Sequence, residues 1–184
     1  CLPNKGFPEL VKSINLMRER NFECNLTLLT AKYSPDYDYF CNDLLKLVHK
    51  LDLNDLITIN FEYLSDKFLL NFLSRVDLVV FPYQSTAESS SAAVRHGIAS
   101  QSEVVVTPLH IFKDVADVVH TLPGTSPSQI SDGIVELLTS RVNKRKPNAE
   151  QFKKNQNWRN QHLFSNLSNR LFGIIKALEN DSLI

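Results

Sequence analysis

Short runs of consecutive apolar, β-prone residues alternate along this chain with longer segments whose apolar residues recur at helical spacing, and few folds accommodate that order. CNLTLLT, LITIN, DLVVFPY and EVVVT are nearly all apolar, as strands buried on both faces are. Between them lie helical patterns. FPELVKSINLMRER sets Leu10, Val11, Ile14 and Met17 on one face, with Pro8 near its start, and DYDYFCNDLLKLVHKLDL does the same with Leu44, Leu45, Val48 and Leu51. SDKFLLNFLSRV is opened by a Ser65 cap, AESSSAAVRHGIAS is rich in small residues, and SPSQISDGIVELLTS lines up Ile130, Ile134, Leu137 and Leu138. DVVHTL reads as a further strand and RVNKRKPN as a polar hinge, and two closing helices run from about Ala149 to Ala177 with the lone Trp158. The order predicts an α/β fold, a doubly wound parallel sheet with helices on both faces. Residues 1–146 are expected to form that domain, with helices in 147–184 packing on it. The first strand is expected before Leu2 and is read as truncated; a first residue of Cys rather than Met suggests an excised piece.

Composition narrows the classes. A hydrophobic fraction of 43% and a charged fraction of 22% suit a globular chain with a sizeable core. No stretch approaches the roughly 20 apolar residues that span a bilayer, and CLPNKGFPEL holds no signal-like apolar run. Cys1, Cys24 and Cys41 make neither a CxxC pair nor an even disulfide set, which reads as free thiols in a reducing compartment. His49, His96, His110, His120 and His162 have no metal-ligand spacing, so no metal site is expected. Twenty basic and twenty acidic residues cancel, which argues against a nucleic-acid partner. From Arg141 onward, however, nine basic residues (Arg141, Lys144, Arg145, Lys146, Lys153, Lys154, Arg159, Arg170, Lys176) face three acidic ones (Glu150, Glu179, Asp181). That excess is either a solvated face or a weak dock for anionic lipid headgroups.

In open parallel sheets ligands bind beyond the carboxyl ends of the strands. Two stretches there can carry chemistry. In Leu2-Pro3-Asn4-Lys5-Gly6 the glycine permits a tight turn, and Lys5 sits beside the free N–H groups of the following helix. The pattern suits a phosphate or diphosphate, or is simply a turn. It is neither a Walker A loop nor GxGxxG, which argues against ATP hydrolysis and dinucleotide binding. In PYQSTAESSSAAVRHG, Glu88 is read as opening a helix whose first turn is Ser89, Ser90 and Ser91. Those hydroxyls and the unpaired N–H groups can hold an oxyanion, while the same residues also suit plain capping. Ala92, Ala93 and Gly97 are expected to let this helix approach the sheet closely.

Taken in order, LPNKGFPELVKSI and FEYLSDKFLLNFLSRVDLVVFPYQSTAESSSAAVRHGIASQSEVVVTPLHIF resemble the C-terminal, Rossmann-like donor-binding domain of retaining GT-B glycosyltransferases. The family is the large one marked by two glutamates eight positions apart (glycosyltransferase family 4, or group 1). The resemblance runs over nearly the whole chain. It implies that Lys5, with Asn4 and Gly6 in its turn, contacts the donor diphosphate. Glu88 would face the donor sugar, backbone amides at Ser90, Ser91 and Ala92 would approach the diphosphate, and Ser89 would join the donor-binding residues. Phe61, Glu62, Tyr63 and Leu64 would flank the nucleobase. The position of the second glutamate, which holds the ribose, is His96. Either His96 or the adjacent Arg95 takes over part of that contact, or the nucleotide sits differently; Arg95 is equally suited to a structural ion pair. A subset of the family shares the form ExxSxAxR seen here at 88–95.

The implied activity is transfer of a sugar from a nucleoside diphosphate, with retention, to a glycan or lipid-linked acceptor held by a separate N-terminal domain. Surface polysaccharide synthesis at the cytoplasmic side, possible peripheral membrane contact, and no metal or other cofactor complete that implication. A non-catalytic module with a scaffolding or glycan-binding role is the alternative. The isolated chain is expected to bind donor weakly and to turn over almost nothing.

Overall fold

The computed structural model describes residues 2–32, 34–143 and 149–181. Its contacts cluster into two units, residues 1–146 and 147–184. In the first unit, helices α1 (Phe7–Glu19), α2 (Asp38–Lys50), α3 (Asp66–Leu73), α4 (Ala92–Ala99) and α5 (Pro127–Asn143) are interleaved with strands β1 (Leu26–Leu29), β2 (Ile57–Asn60), β3 (Val79–Phe81), β4 (Val104–Val106) and β5 (His120–Thr121). All strand pairings are parallel, but they fall into two sheets, β1-β2 and β3-β4-β5. The α/β class, with parallel strands flanked by helices, is therefore as the sequence implied.

Side-chain alternation divides the strands between two helical layers. Leu28, Ile57 and Val105 join Leu10, Val11, Ile14 and Met17 of α1, Leu44 and Val48 of α2, and Ile130 and Ile134 of α5 in one core cluster. On the other face α4 lies against β3 and β4. A Cβ at Gly97 would come within 3.0 Å of the Phe81 ring and 3.1 Å of Val104, so an added methyl would require those side chains to shift by a few tenths of an ångström. Ala92 and Ala93, expected to share this packing, are exposed instead. The four core residues of α1 are at most 3% exposed. Burial of that kind stabilises by roughly 1.5–3 kcal/mol per side chain.

Local signals account for most helix ends. Pro8 sits in the first turn of α1, and Ser65 caps α3 by accepting from Phe68 N–H at 3.4 Å. Three boundaries differ from expectation. Helix α5 continues through Arg141 to Asn143, so the hinge read at RVNKRKPN is helical where described, and residues 144–148 lie outside the described residues. His110–Val118 is a 3-10 helix that buries Ile111, Phe112 and Val115, which leaves only His120 and Thr121 of DVVHTL as strand. Consecutive turns closing every three residues match the apolar spacing at 112, 115 and 118 better than a period of two does.

In the second unit α6 (Ala149–Gln161) is followed by α7 (Phe164–Asp181). Trp158 stacks on His162 at 3.9 Å between ring centres, and Asn166 donates to the Asn160 carbonyl at 2.6 Å, fixing the turn between the helices. Among the described residues no helix is long and apolar enough to cross a membrane.

Candidate functional site

The loops leaving the carboxyl ends of the strands converge on the turn before α1. Pro3–Lys5 is a single 3-10 turn, and Gly6 follows it at φ 72°, the left-handed region that glycine enters at little cost. A Cβ on Gly6 would lie 1.8 Å from the Pro82 carbonyl oxygen, so this turn is pressed directly on the end of β3. Gln84 N–H donates to the Asn4 carbonyl at 2.9 Å and Asn4 Nδ2 reaches Thr86 Oγ1 at 3.5 Å. The two segments that the sequence singled out, 82 positions apart at Asn4 and Thr86, are one surface.

Lys5 Nζ stands 3.3 Å from Glu88 Oε2 and 4.1 Å from the centre of the Tyr83 ring. The Tyr83 hydroxyl shares a 3.2 Å hydrogen bond with Ser91 Oγ, and Ser91 caps α4 by accepting from Val94 N–H at 3.4 Å. Below, Thr107 Oγ1 donates to the Tyr83 carbonyl at 2.7 Å. Tyr83 thus connects the amine, the helix head and the residue that follows β4. It is buried, so its ring presents a fixed apolar face with electron density directed at the ammonium.

The helix head itself is not where the sequence put it. Ser89 and Ser90 are exposed loop residues, Ser91 is the buried N-cap, and the first turn of α4 is Ala92, Ala93 and Val94. Glu88 lies in the preceding loop, its N–H held by Thr86 Oγ1 at 3.1 Å. Serine favours this placement physically: its hydroxyl competes with the helix for backbone donors and is better used as a cap than inside the first turn. The free amides at the helix start therefore belong to Ala92 and Ala93 rather than to Ser89 and Ser90.

Arg95 and His96 point to different partners. Arg95 donates to the Ser91 carbonyl at 2.7 Å and pairs with Asp114 of the 3-10 segment. His96 Nε2 is 3.3 Å from Asp66 Oδ1 at the start of α3. Phe61 packs against the core cluster while its carbonyl accepts from Lys32 N–H at 3.2 Å, and Glu62 N–H is tied to Asn60 Oδ1 at 2.7 Å. Leu64 is half-buried, and Tyr63 is 87% exposed. Lys5, Tyr63, Tyr83, Ala93 and His96 together line part of a cavity of about 1100 Å³. A separate hollow of about 440 Å³ beside Arg20, Asp132 and Glu136 holds none of these residues. Among the described residues no group of three His, Cys, Asp or Glu is placed to hold a metal ion.

Sequence reasoning missed Tyr83, Gln84, Thr86, Asp66 and Asp114. Tyr83 and Gln84 carried a signal, since they directly follow the strongest strand, where ligand loops begin. Asp66 and Asp114 carried none, because only tertiary packing brings them to His96 and Arg95.

No protein-family model matches the sequence, and no curated protein is significantly similar to it. Solved structures do match. Sucrose-phosphate synthase from Thermosynechococcus elongatus superposes with a TM-score of 0.74 at 14% identity, over 95% of this chain and 43% of that one. The UDP-forming α,α-trehalose-phosphate synthase of Burkholderia vietnamiensis gives 0.76 at 10% identity, over 98% and 43%. HepE of Anabaena, solved with UDP and glucose, gives 0.71 at 13% identity, over 98% and 46%. The chain spans less than half the length of each of these three structures. At such identities the likeness concerns the backbone alone, and what it shows is that this chain shares the Rossmann-like α/β fold of part of each of these structures.

Proposed function

We propose that this chain binds the nucleoside-diphosphate sugar of a retaining glycosyltransferase, at the rim formed by Lys5 and the head of α4. The observation that carries the reading is the convergence of the Lys5 amine, through Tyr83, on the capped start of that helix. A diphosphate resting there meets an ammonium and the amides of Ala92 and Ala93, the donors that stabilise negative charge as the sugar leaves. Lys5 is now paired with Glu88, whose side chain is 47% exposed. Pairs of that kind contribute about 0–1 kcal/mol, whereas hydrogen bonds to charged groups contribute about 1.5–3 kcal/mol. Phosphate therefore displaces Glu88 at little cost, and the freed carboxylate can accept from a sugar hydroxyl. His96 with Asp66 offers the polar group for the ribose, and Tyr63 an exposed ring for the base. Transfer to a saccharide or lipid-linked acceptor in polysaccharide synthesis, on the cytoplasmic side of a membrane, extends the same reading. HepE with UDP and glucose bound in the same backbone fold supports the choice of donor class.

Calorimetric titration with UDP, GDP and ADP tests it. One of the three is expected to bind saturably and weakly, and Lys5→Ala to weaken that binding at least about tenfold, by loss of one charge-assisted contact. No saturable binding of any of them, or an unchanged Kd in Lys5→Ala, overturns the assignment.

A further inference from the structure

The two charged groups at the rim hold one another, and they are not equally free to move. The Lys5 ammonium rests on the ring of Tyr83, which is buried and bonded at both its carbonyl and its hydroxyl. The Lys5 side chain is 20% exposed against 47% for Glu88, and Glu88 meets the amine through one oxygen, Oε2. The backbone of Glu88, by contrast, is anchored. Its N–H donates to Thr86 Oγ1 at 3.1 Å, and that same oxygen accepts from Asn4 Nδ2 at 3.5 Å. The root of the Glu88 side chain is thus tied to the turn that carries Lys5, and its carboxylate can swing about that root without leaving the site. No other cation holds it: Arg95 is taken by Asp114 and His96 by Asp66, and among the described residues Lys5 is the only cation that Glu88 meets.

A phosphate on the ammonium takes the place of Glu88, and the fate of the displaced carboxylate depends on what the phosphate carries. In a nucleoside-diphosphate sugar the sugar is bonded to the terminal phosphate, so its hydroxyls come beside the displaced carboxylate and donate to it. One such bond to a charged group strengthens binding roughly 10- to 150-fold. In a bare nucleoside diphosphate nothing donates to Glu88. The carboxylate then stands against the charge of the diphosphate, and like charges at close range oppose the complex. It regains a partner only by returning to Lys5 as the phosphate leaves.

We propose that the Lys5–Glu88 pair, within the donor-binding reading given above, makes this rim select an intact nucleotide sugar over the spent nucleotide. Glu88 is the specificity-determining residue. With a sugar attached to the diphosphate it is a ligand contact, and without one it competes with the diphosphate for Lys5. Departure of the sugar converts the first role into the second, which hastens release of the nucleoside diphosphate.

The test is calorimetric titration of the 184-residue chain and of its Glu88→Ala and Glu88→Gln variants. The ligands are UDP, GDP and ADP, with UDP-glucose, UDP-galactose, UDP-N-acetylglucosamine, GDP-mannose and ADP-glucose as their conjugates. Glu88 is an exposed loop residue, so both variants should unfold within a degree or two of the parent. The parent chain is expected to bind at least one conjugate about tenfold or more tightly than the matching nucleotide. Glu88→Ala is expected to bind that nucleotide about two- to fivefold more tightly, the reach of an exposed ion pair, and the conjugate more weakly. The preference for the conjugate then falls at least about tenfold. Glu88→Gln loses the charge but keeps a hydrogen-bonding group, so it should gain as much for the nucleotide and lose less for the conjugate. A merely structural role would move both affinities in one direction. Equal or weaker nucleotide binding in Glu88→Ala overturns the proposal, as does a preference that survives the substitution or is missing from the parent chain. Absence of saturable binding by every nucleotide and conjugate instead overturns the donor-site reading on which the proposal rests.

Discussion

Replacing Gly6 by alanine strains the backbone and drives an atom into Pro82 at once, and the two terms can be estimated separately. An L-residue at φ 72° costs about 1–2 kcal/mol relative to glycine. The new Cβ would sit 1.8 Å from the Pro82 carbonyl oxygen, a backbone atom that cannot rotate away. Relief requires the 3–6 turn to lift from β3, which breaks the Gln84 N–H to Asn4 carbonyl bond, worth about 0.5–1.5 kcal/mol net, and loosens the packing beneath it. The sum is a loss of about 2–4 kcal/mol, and at about 2–4 °C per kcal/mol for a chain of this size Tm should fall by about 4–16 °C. Urea unfolding followed by circular dichroism measures it, with an unchanged m-value as the check that the native state stays compact. Gly6→Asn separates the terms, because asparagine tolerates the left-handed region but carries the same Cβ. Its loss should be smaller than that of Gly6→Ala, yet still above about 1 kcal/mol. A loss under about 0.5 kcal/mol for Gly6→Ala, the range of ordinary surface changes, refutes the close approach.

Other perturbations have equally definite signs. Ser91→Ala removes the cap on Val94 N–H and leaves the buried Tyr83 hydroxyl without that partner, so urea unfolding should show a loss of about 1–3 kcal/mol; no change means the cap is idle. Gly173→Ala goes the other way: it lies inside α7 with nothing within 4 Å of the added Cβ, so thermal unfolding followed by helix ellipticity should show a gain of about 0.5–1 kcal/mol. Burial pushes the Cys24 thiol up from its ordinary range. Alkylation at pH 8, followed by mass spectrometry, should therefore be slower at Cys24 than in an unfolded peptide, and equal rates refute this. The folded form holds that proton longer than the unfolded one, so the associated stability is present below the ordinary thiol pKa and is lost as pH rises through the folded value.

What the sequence disclosed followed from periodicity. Four of the five strands were visible as short, largely apolar runs, and α1, α2 and α5 as stripes such as Leu10–Val11–Ile14–Met17 and Ile130–Ile134. The meeting of Lys5 with the loop at Glu88 was also foreseeable, since the turn at Lys5 opens a helix and Glu88 follows the end of β3, where ligand loops gather in a parallel fold. The failures were local competitions. Three consecutive serines look like a helix first turn, yet only Ser91 works as a cap, and the helix begins after it. The 3-10 run His110–Val118 went unseen although Ile111, Phe112, Val115 and Val118 recur at helical spacing. Partnerships such as Arg95 with Asp114, 19 positions apart, depend on how helices settle on the sheet, which no short-range pattern encodes.

Tyr83 is gripped at its carbonyl by Thr107, at its hydroxyl by Ser91, and lies under the Lys5 ammonium. The cation is therefore aimed by a side chain anchored just beyond the end of the next strand over rather than by its own loop. Local breathing of the β3–β4 boundary should release amine and helix head together. Affinity for an anion would then vanish in one step with that opening, rather than eroding gradually as the first turn frays.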